Sequence, residues 1–206
     1  NYGRLSAVAR LSNKVASRSA GIYQPFIPLK LTLRQSAGSL WTLTDAFMQR
    51  CAYKIEVPTL FCAIYINELI YHLVKTHESM PKLFAIYLKS LEELELNKDT
   101  SLTLRAFETT LLENLGYGID YFSSDHGEIQ EDLCYHFDLN SGFLLSSAAE
   151  DYSYSGRDLI SIRHNDMSAK STRNVLKKLN KCVIDSLLEG RKLKSRELYS
   201  QFLMVK

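Results

Sequence analysis

Between Pro58 and Gly118 three apolar segments follow one another, FCAIYINELIYHLV, PKLFAIYLKSLEEL and TLRAFETTLLENLGYG, and helix punctuation bounds each of them. Pro58 and Pro81 stand where a first helical turn tolerates a missing N–H, and Gly116 stands where a helix exits through a left-handed residue. The spacing predicts three helices in series. In the third, Leu104, Phe107, Leu111 and Leu115 recur at the interval of one buried face. The first is apolar on nearly every side (Phe61, Ile64, Tyr65, Ile66, Leu69, Ile70, Leu73), so it is expected at the centre of the fold, covered by neighbours.

On either side the periodicity changes. From Gly3 to Gln49 it is two: LSAVARL, PLKLTLRQ and SLWTLTDAFM predict three antiparallel strands. The chain opens at Asn1 directly into the first, which reads as the second arm of a hairpin whose first arm is absent. Ser12 to Gly21 is long for a hairpin connection and carries Lys14 and Arg18 among small residues, as a mobile basic loop would. Phe26 and Trp41 read as core. After Gly118 the chain turns polar and acidic. YHFDL and FLLS then flank an Asn140-Ser141-Gly142 turn, a hairpin signal. Arg157 to Ile162 reads as a short helix. A longer one begins near Ser168, with Val175, Leu176, Leu179, Val183 and Leu187 on one face and Lys170, Arg173, Lys177 and Lys181 on the other. Ser195 is placed to cap a last short helix.

Charge is segregated along the chain. Residues 1–50 carry a balance of +6, residues 51–162 one of −11 and residues 163–206 one of +7. Two basic ends that attract a polyanion flank an acidic middle that repels it. No apolar run approaches a membrane span, because Lys54, Glu68, His72 and Lys75 interrupt the most hydrophobic part, and no leader-like apolar region opens the chain. A cytoplasmic protein is expected. The four cysteines (Cys51, Cys62, Cys134, Cys182) form no CxxC pair, so a reduced core-filling role is the plain reading.

Catalytic and metal-ligating patterns are sparse. Glu68 and His72 lie four apart on a helix, but carboxylate-bridged metal sites use a three-residue Glu-x-x-His spacing twice, so a buried, hydrogen-bonded pair is the simpler account. No nucleophile elbow, Walker A or dinucleotide fingerprint occurs. A binding protein without catalytic residues, cofactor or metal is the reading. Cations on alternate strand positions together with aromatics suit single-stranded nucleic acid. Arg105 shares a stripe with Glu108 and Leu112. It either forms an i, i+3 ion pair or borders a groove for an acidic, hydrophobic-tipped peptide.

QPFIPLKLTLR, YINELI, LRAFETTLLENLGYG, SGFLLS, SGRDL and GRKLKSRELYSQF, in that order, resemble the bacterial recombination mediators of the RecO family. The resemblance implies an α+β chain: an OB-fold β-barrel lacking its first strands over residues 1–55, then a mainly helical domain over residues 56–206 with a hairpin-containing insertion at about 119–155. It implies a cytoplasmic bacterial protein of recombinational DNA repair that binds single- and double-stranded DNA and anneals complementary strands. With RecR it would help load RecA onto DNA coated by the single-stranded-DNA-binding protein SSB, whose acidic C-terminal tail it binds. Some relatives hold zinc with four cysteines after the LGYG exit; here FSSDHGEIQEDLCYHF retains only Cys134, so no zinc is expected. Phosphate contacts are expected from Arg4, Arg10, Lys14, Arg18, Lys30 and Arg34 and from Lys170, Arg173, Lys177 and Lys181, and the peptide from Arg105 and Leu112. A peptide-binding adaptor and an OB-fold RNA-binding protein are the alternative readings.

Overall fold

Period-two alternation at the N-terminus becomes a three-stranded sheet in the computed structural model, which describes residues 2–9, 20–35, 40–146 and 153–204. Its strands are β1 (Ala7–Ala9), β2 (Leu29–Gln35) and β3 (Trp41–Met48), in the order β1-β3-β2. β2 and β3 are antiparallel, with Leu29 opposite Met48 and Gln35 opposite Trp41. β1 instead runs parallel to β3, Ala7 beside Trp41, which corrects the expectation of three antiparallel strands. Parallel partners need a connection of about a dozen residues or more, and β1 and β3 are separated in sequence by β2 and the long stretch ahead of it. A bulge places Thr32 opposite Asp45 and Leu33 opposite Leu43, and the hydroxyl of the extra residue, Thr44, donates to the Thr32 carbonyl at 3.0 Å. Among the described residues the sheet is open, not a closed barrel. Phe26 and Trp41 are half-buried and not core.

By packing, the chain forms two compact units: residues 1–98 with 195–206, and residues 99–194. In the first, helix α1 (Thr59–Leu73) buries Ala63, Tyr65, Ile66 and Leu69. Helix α2 (Pro81–Glu95), opened by Pro81, buries Leu83, Leu91 and Leu94. The C-terminal helix, labelled α6 below (Lys194–Met204), lies against α1, where Phe61 meets the rings of Tyr199 and Phe202 at 5.9 and 5.4 Å. α1 is thus covered by neighbours, as its all-round hydrophobicity predicts, except that Tyr71 is 65% exposed.

The polar link between α1 and α6 differs from expectation. Ser195 lies inside α6, and both its backbone N–H and its hydroxyl donate to Glu68 Oε2, at 3.0 and 2.6 Å. A carboxylate there takes an orphan N–H of the first turn and faces the positive end of the helix dipole. Glu68 is half-buried and used in this way, not as a partner of His72.

In the second unit, helix α3 (Thr100–Asn114) starts at Asp99, whose carboxylate accepts the N–H groups of Ser101 and Leu102 at 3.0 and 3.1 Å. It ends at Gly116, with φ +83°. Its buried strip is Thr103, Arg105, Phe107, Glu108, Leu111 and Leu112, rotated from the predicted face so that Leu104 and Leu115 are only half-buried. Next come β4 (Ser123–Ser124), β5 (Gly127–Glu128), β6 (Cys134–Asp138), β7 (Gly142–Leu145) and β8 (Tyr154–Ser155), one sheet in the order β5-β4-β7-β6-β8. The predicted hairpin is β6–β7. Asp138 Oδ1 holds its turn by accepting the N–H groups of Asn140 and Ser141 at 2.9 and 2.8 Å. Helices α4 (Gly156–Arg163) and α5 (Lys170–Leu187) close the unit over a core of Ile129, Tyr135, Phe143, Leu159, Ile162, Leu176 and Leu179. No disulfide joins the four cysteines, but Cys51 and Cys182 are exposed and Cys62 and Cys134 half-buried, so none fills the core.

Candidate functional site

α3 carries two charged residues on its buried strip, and they meet. Arg105 Nη2 donates to Glu108 Oε1 at 2.6 Å, with side chains 7% and 3% exposed. The Asn180 amide, from α5, donates to Glu108 Oε2 at 3.4 Å and to Thr109 Oγ1 at 3.1 Å. The i, i+3 ion pair expected from the sequence is therefore made, and it is made inside the unit, with both side chains buried. A buried pair of this kind holds as long as both partners are present.

Arg105, Thr109 and Asn180 border a cavity of about 810 Å³. α3 contributes Leu102, Arg105 and Leu112, the segment after Gly118 contributes Tyr121 and Phe122, the end of α4 contributes Arg163, and α5 contributes Leu176 and Asn180. Three of these residues hold buried polar atoms with no hydrogen-bond partner among the described residues: Arg105 Nε, Tyr121 Oη and Arg163 Nε. All three atoms can donate, and buried donors are seldom left unpaired. Burial, reinforced by the nearby Glu113 and Tyr154, pushes the Tyr121 phenol well above its ordinary range, so it stays protonated. Arg163 is anchored by Glu128 at 3.0 Å and lies 4.9 Å from the centre of the Phe122 ring. Asp120, on the rim, is held below its ordinary range by the Ser123 hydroxyl and by the Phe122 N–H at 2.8 Å. The cavity thus combines apolar walls with the donor-bearing side chains of Arg105, Tyr121 and Arg163 and the carboxylates of Glu113 and Asp120, a lining suited to a ligand with an apolar end and a few polar groups. Sequence reading reached Arg105 and Leu112 but not Tyr121, Phe122 or Arg163. The aromatic pair right after the LGYG exit was the available signal for them.

The cations expected to meet phosphate are distributed differently. Lys30 and Arg34 are exposed on β2, where strand alternation puts them on one face and Leu29, Leu31 and Leu33 on the other. Arg4 is half-buried beside α1: its Nε donates to the Val74 carbonyl at 2.9 Å and its guanidinium sits 5.4 Å from the Tyr71 ring centre. Arg10, Lys14 and Arg18, with the basic loop around them, lie outside the described residues. On α5, Lys170 and Lys177 are exposed, whereas Arg173 lies 3.6 Å from Asp99 and Lys181 2.5 Å from Asp185. Two of the four cations on that stripe already hold an acid. Lys178, exposed beside Lys177, extends the stripe. Among the described residues no cluster of three or more His, Cys, Asp or Glu is arranged to hold a metal, and no helix is long and apolar enough to cross a membrane.

Known proteins are similar to this sequence. The profile of the family described as "Recombination protein O C terminal" matches residues 56–197. A protein of Methylococcus capsulatus named DNA repair protein RecO is 32% identical over 200 residues, covering 96% of this chain and 82% of the relative. The proteins of that name from Mannheimia succiniciproducens and Haemophilus influenzae are 32% and 31% identical, each over 98% of this chain and over 90% and 86% of their own lengths. With a matching profile over most of its length and such identity along nearly all of it, the chain belongs to the RecO family.

Proposed function

We propose that this protein is a non-catalytic mediator of recombinational DNA repair. It binds single- and double-stranded DNA through its basic ends and docks an acidic, hydrophobic-tipped peptide, the C-terminal tail of SSB, in the cavity beside Arg105 and Leu112. The observation that carries this reading is that two guanidinium-bearing residues, Arg105 and Arg163, and the phenol-bearing Tyr121 line one largely apolar cavity together with Leu102, Leu112 and Leu176. Carboxylates of the peptide pair with the cationic side chains at the cavity, and its apolar tip meets Leu102, Leu112 and Leu176. The small sheet at the N-terminus belongs, in this reading, to an OB-fold, with Lys30 and Arg34 on its phosphate-facing side. Annealing needs no side-chain chemistry, only two strands held close while cations screen their repulsion. Partnership with RecR and assistance to RecA loading complete the role, in the cytoplasm.

Titrating a fluorescent acidic peptide with an apolar C-terminal residue tests the docking site. Tyr121→Phe removes one donor and nothing else, so peptide affinity is expected to fall about three- to tenfold. DNA binding should stay unchanged. Equal peptide affinity for wild type and for a Tyr121→Phe, Arg163→Ala double variant would remove the cavity from the proposal.

A further inference from the structure

The first unit carries a second groove, of about 520 Å³, along α1 and α2. Its walls are apolar and aromatic, and two of its rings face solvent: Tyr71 is 65% and Phe84 61% exposed. The Phe84 and Tyr87 rings lie 6.5 Å apart and 26° from parallel. At one side stands Arg4, whose Nε is committed to the Val74 carbonyl while its two terminal nitrogens have no partner among the described residues. The approach that places it is tight. Gly3, with φ +68°, lies so near Glu78 that an added Cβ would come within 1.9 Å of the Glu78 carbonyl oxygen. Lys75 and Lys82, next in the chain to the lining residues Val74 and Leu83, are exposed and hold no acid among the described residues. Glu78 is the single carboxylate among the lining residues.

From this arrangement we infer that the groove is a stacking seat for unpaired bases of single-stranded DNA, with Arg4, Lys75 and Lys82 meeting the adjoining phosphates. The inference rests on the DNA-binding reading above and adds a place and a strand preference. Exposed ring faces accept any base, and flanking cations follow the backbone without reading sequence. A duplex keeps its base faces stacked and cannot use such a seat. An apolar peptide would use the same walls but would leave the oriented guanidinium and the two flanking lysines without anions, so single-stranded DNA is the occupant favoured.

Tyr71→Ala with Phe84→Ala removes two exposed rings, and an unchanged melting temperature confirms the fold. Anisotropy titrations of the full chain then use three labelled probes: oligo(dT), an abasic strand of the same length, and a duplex. The expected result is a loss of about five- to hundredfold for oligo(dT), with abasic-strand and duplex affinities within twofold of wild type. Arg4→Gln should lower the salt dependence of oligo(dT) binding, whereas the aromatic variant should leave it intact. Unchanged oligo(dT) affinity in the aromatic variant, while wild type binds DNA well, would overturn the groove and leave the DNA-binding reading standing. So would an equal loss on the abasic strand, or an apolar peptide that occupies the groove without competing with DNA. If wild type binds none of the three probes, the DNA-binding reading fails and the groove with it.

Discussion

Single atoms explain why certain residues cannot be exchanged. Gly156, in the SGRDL stretch, lies where an added Cβ would come within 1.8 Å of the Gln130 carbonyl oxygen, while its own N–H donates to Leu133 O at 2.8 Å. Gly156→Ala must push one backbone segment away from another. The expected cost is about 1–3 kcal/mol or more, read as a lower urea midpoint with an unchanged m-value. At Arg105 the logic is electrostatic. Arg105→Ala alone leaves Glu108, 3% exposed, as an uncompensated buried charge, and should destabilise by about 3–5 kcal/mol. Replacing both by apolar residues of similar volume should recover most of that loss, which chemical denaturation of the single and double variants would check. The i, i+3 spacing made the pair legible beforehand. Its burial was not legible, because the spacing is the same on a wet face and a dry one.

At the scale of elements, helix ends show how local chemistry and tertiary contact divide the work. Asp99 satisfies the first N–H groups of α3 from within its own segment, and its other oxygen lies 3.6 Å from Arg173 of α5. Asp99→Ala should cost about 0.5–2 kcal/mol. For α6 the corresponding group comes from far away in the chain, Glu68 on α1. Glu68→Ala should therefore free α6 with little effect on α1: amide hydrogen exchange is expected to speed up at Ser195 and the following turn. Equal protection in wild type and variant would show that the ring contacts of Phe61 hold the helix alone. Helix starts at Pro81 and exits at Gly116 could be read directly, since proline and glycine act on their own backbone. The parallel partnership of β1 could not, because alternation says which face of a strand is apolar and nothing about its neighbour.

For the whole molecule, charge governs both binding and stability. If several of the exposed cations engage phosphates, apparent affinity for an oligonucleotide should fall about tenfold or more between roughly 50 and 200 mM salt; a flat response would remove the electrostatic account. Stability follows the carboxylates. Glu95 is held below its ordinary 4.5, chiefly by the Lys54 N–H and then by Arg50. Asp120, Asp125, Asp138 and Asp166 lie below their ordinary 3.8, each through hydrogen bonds to the ionised form. A depressed folded pKa adds stability that is fully present above the unfolded value and disappears as pH drops through the folded one. Melting temperature is therefore expected to be flat near neutrality and to fall below about pH 4–5, with a shallower fall in Glu95→Gln. The helices, the strands β1 to β3, β6 and β7, the hairpin turn and the basic ends could be read from residue order, because each depends on the periodicity and backbone chemistry of a few neighbouring residues; the two-residue strands β4, β5 and β8 are too short to show a period. Which cations are already held by acids, and which residues of α3, α4 and the segment after Gly118 line one cavity, followed only from folding. Those outcomes depend on distances between residues far apart in the chain, and no local pattern encodes such distances.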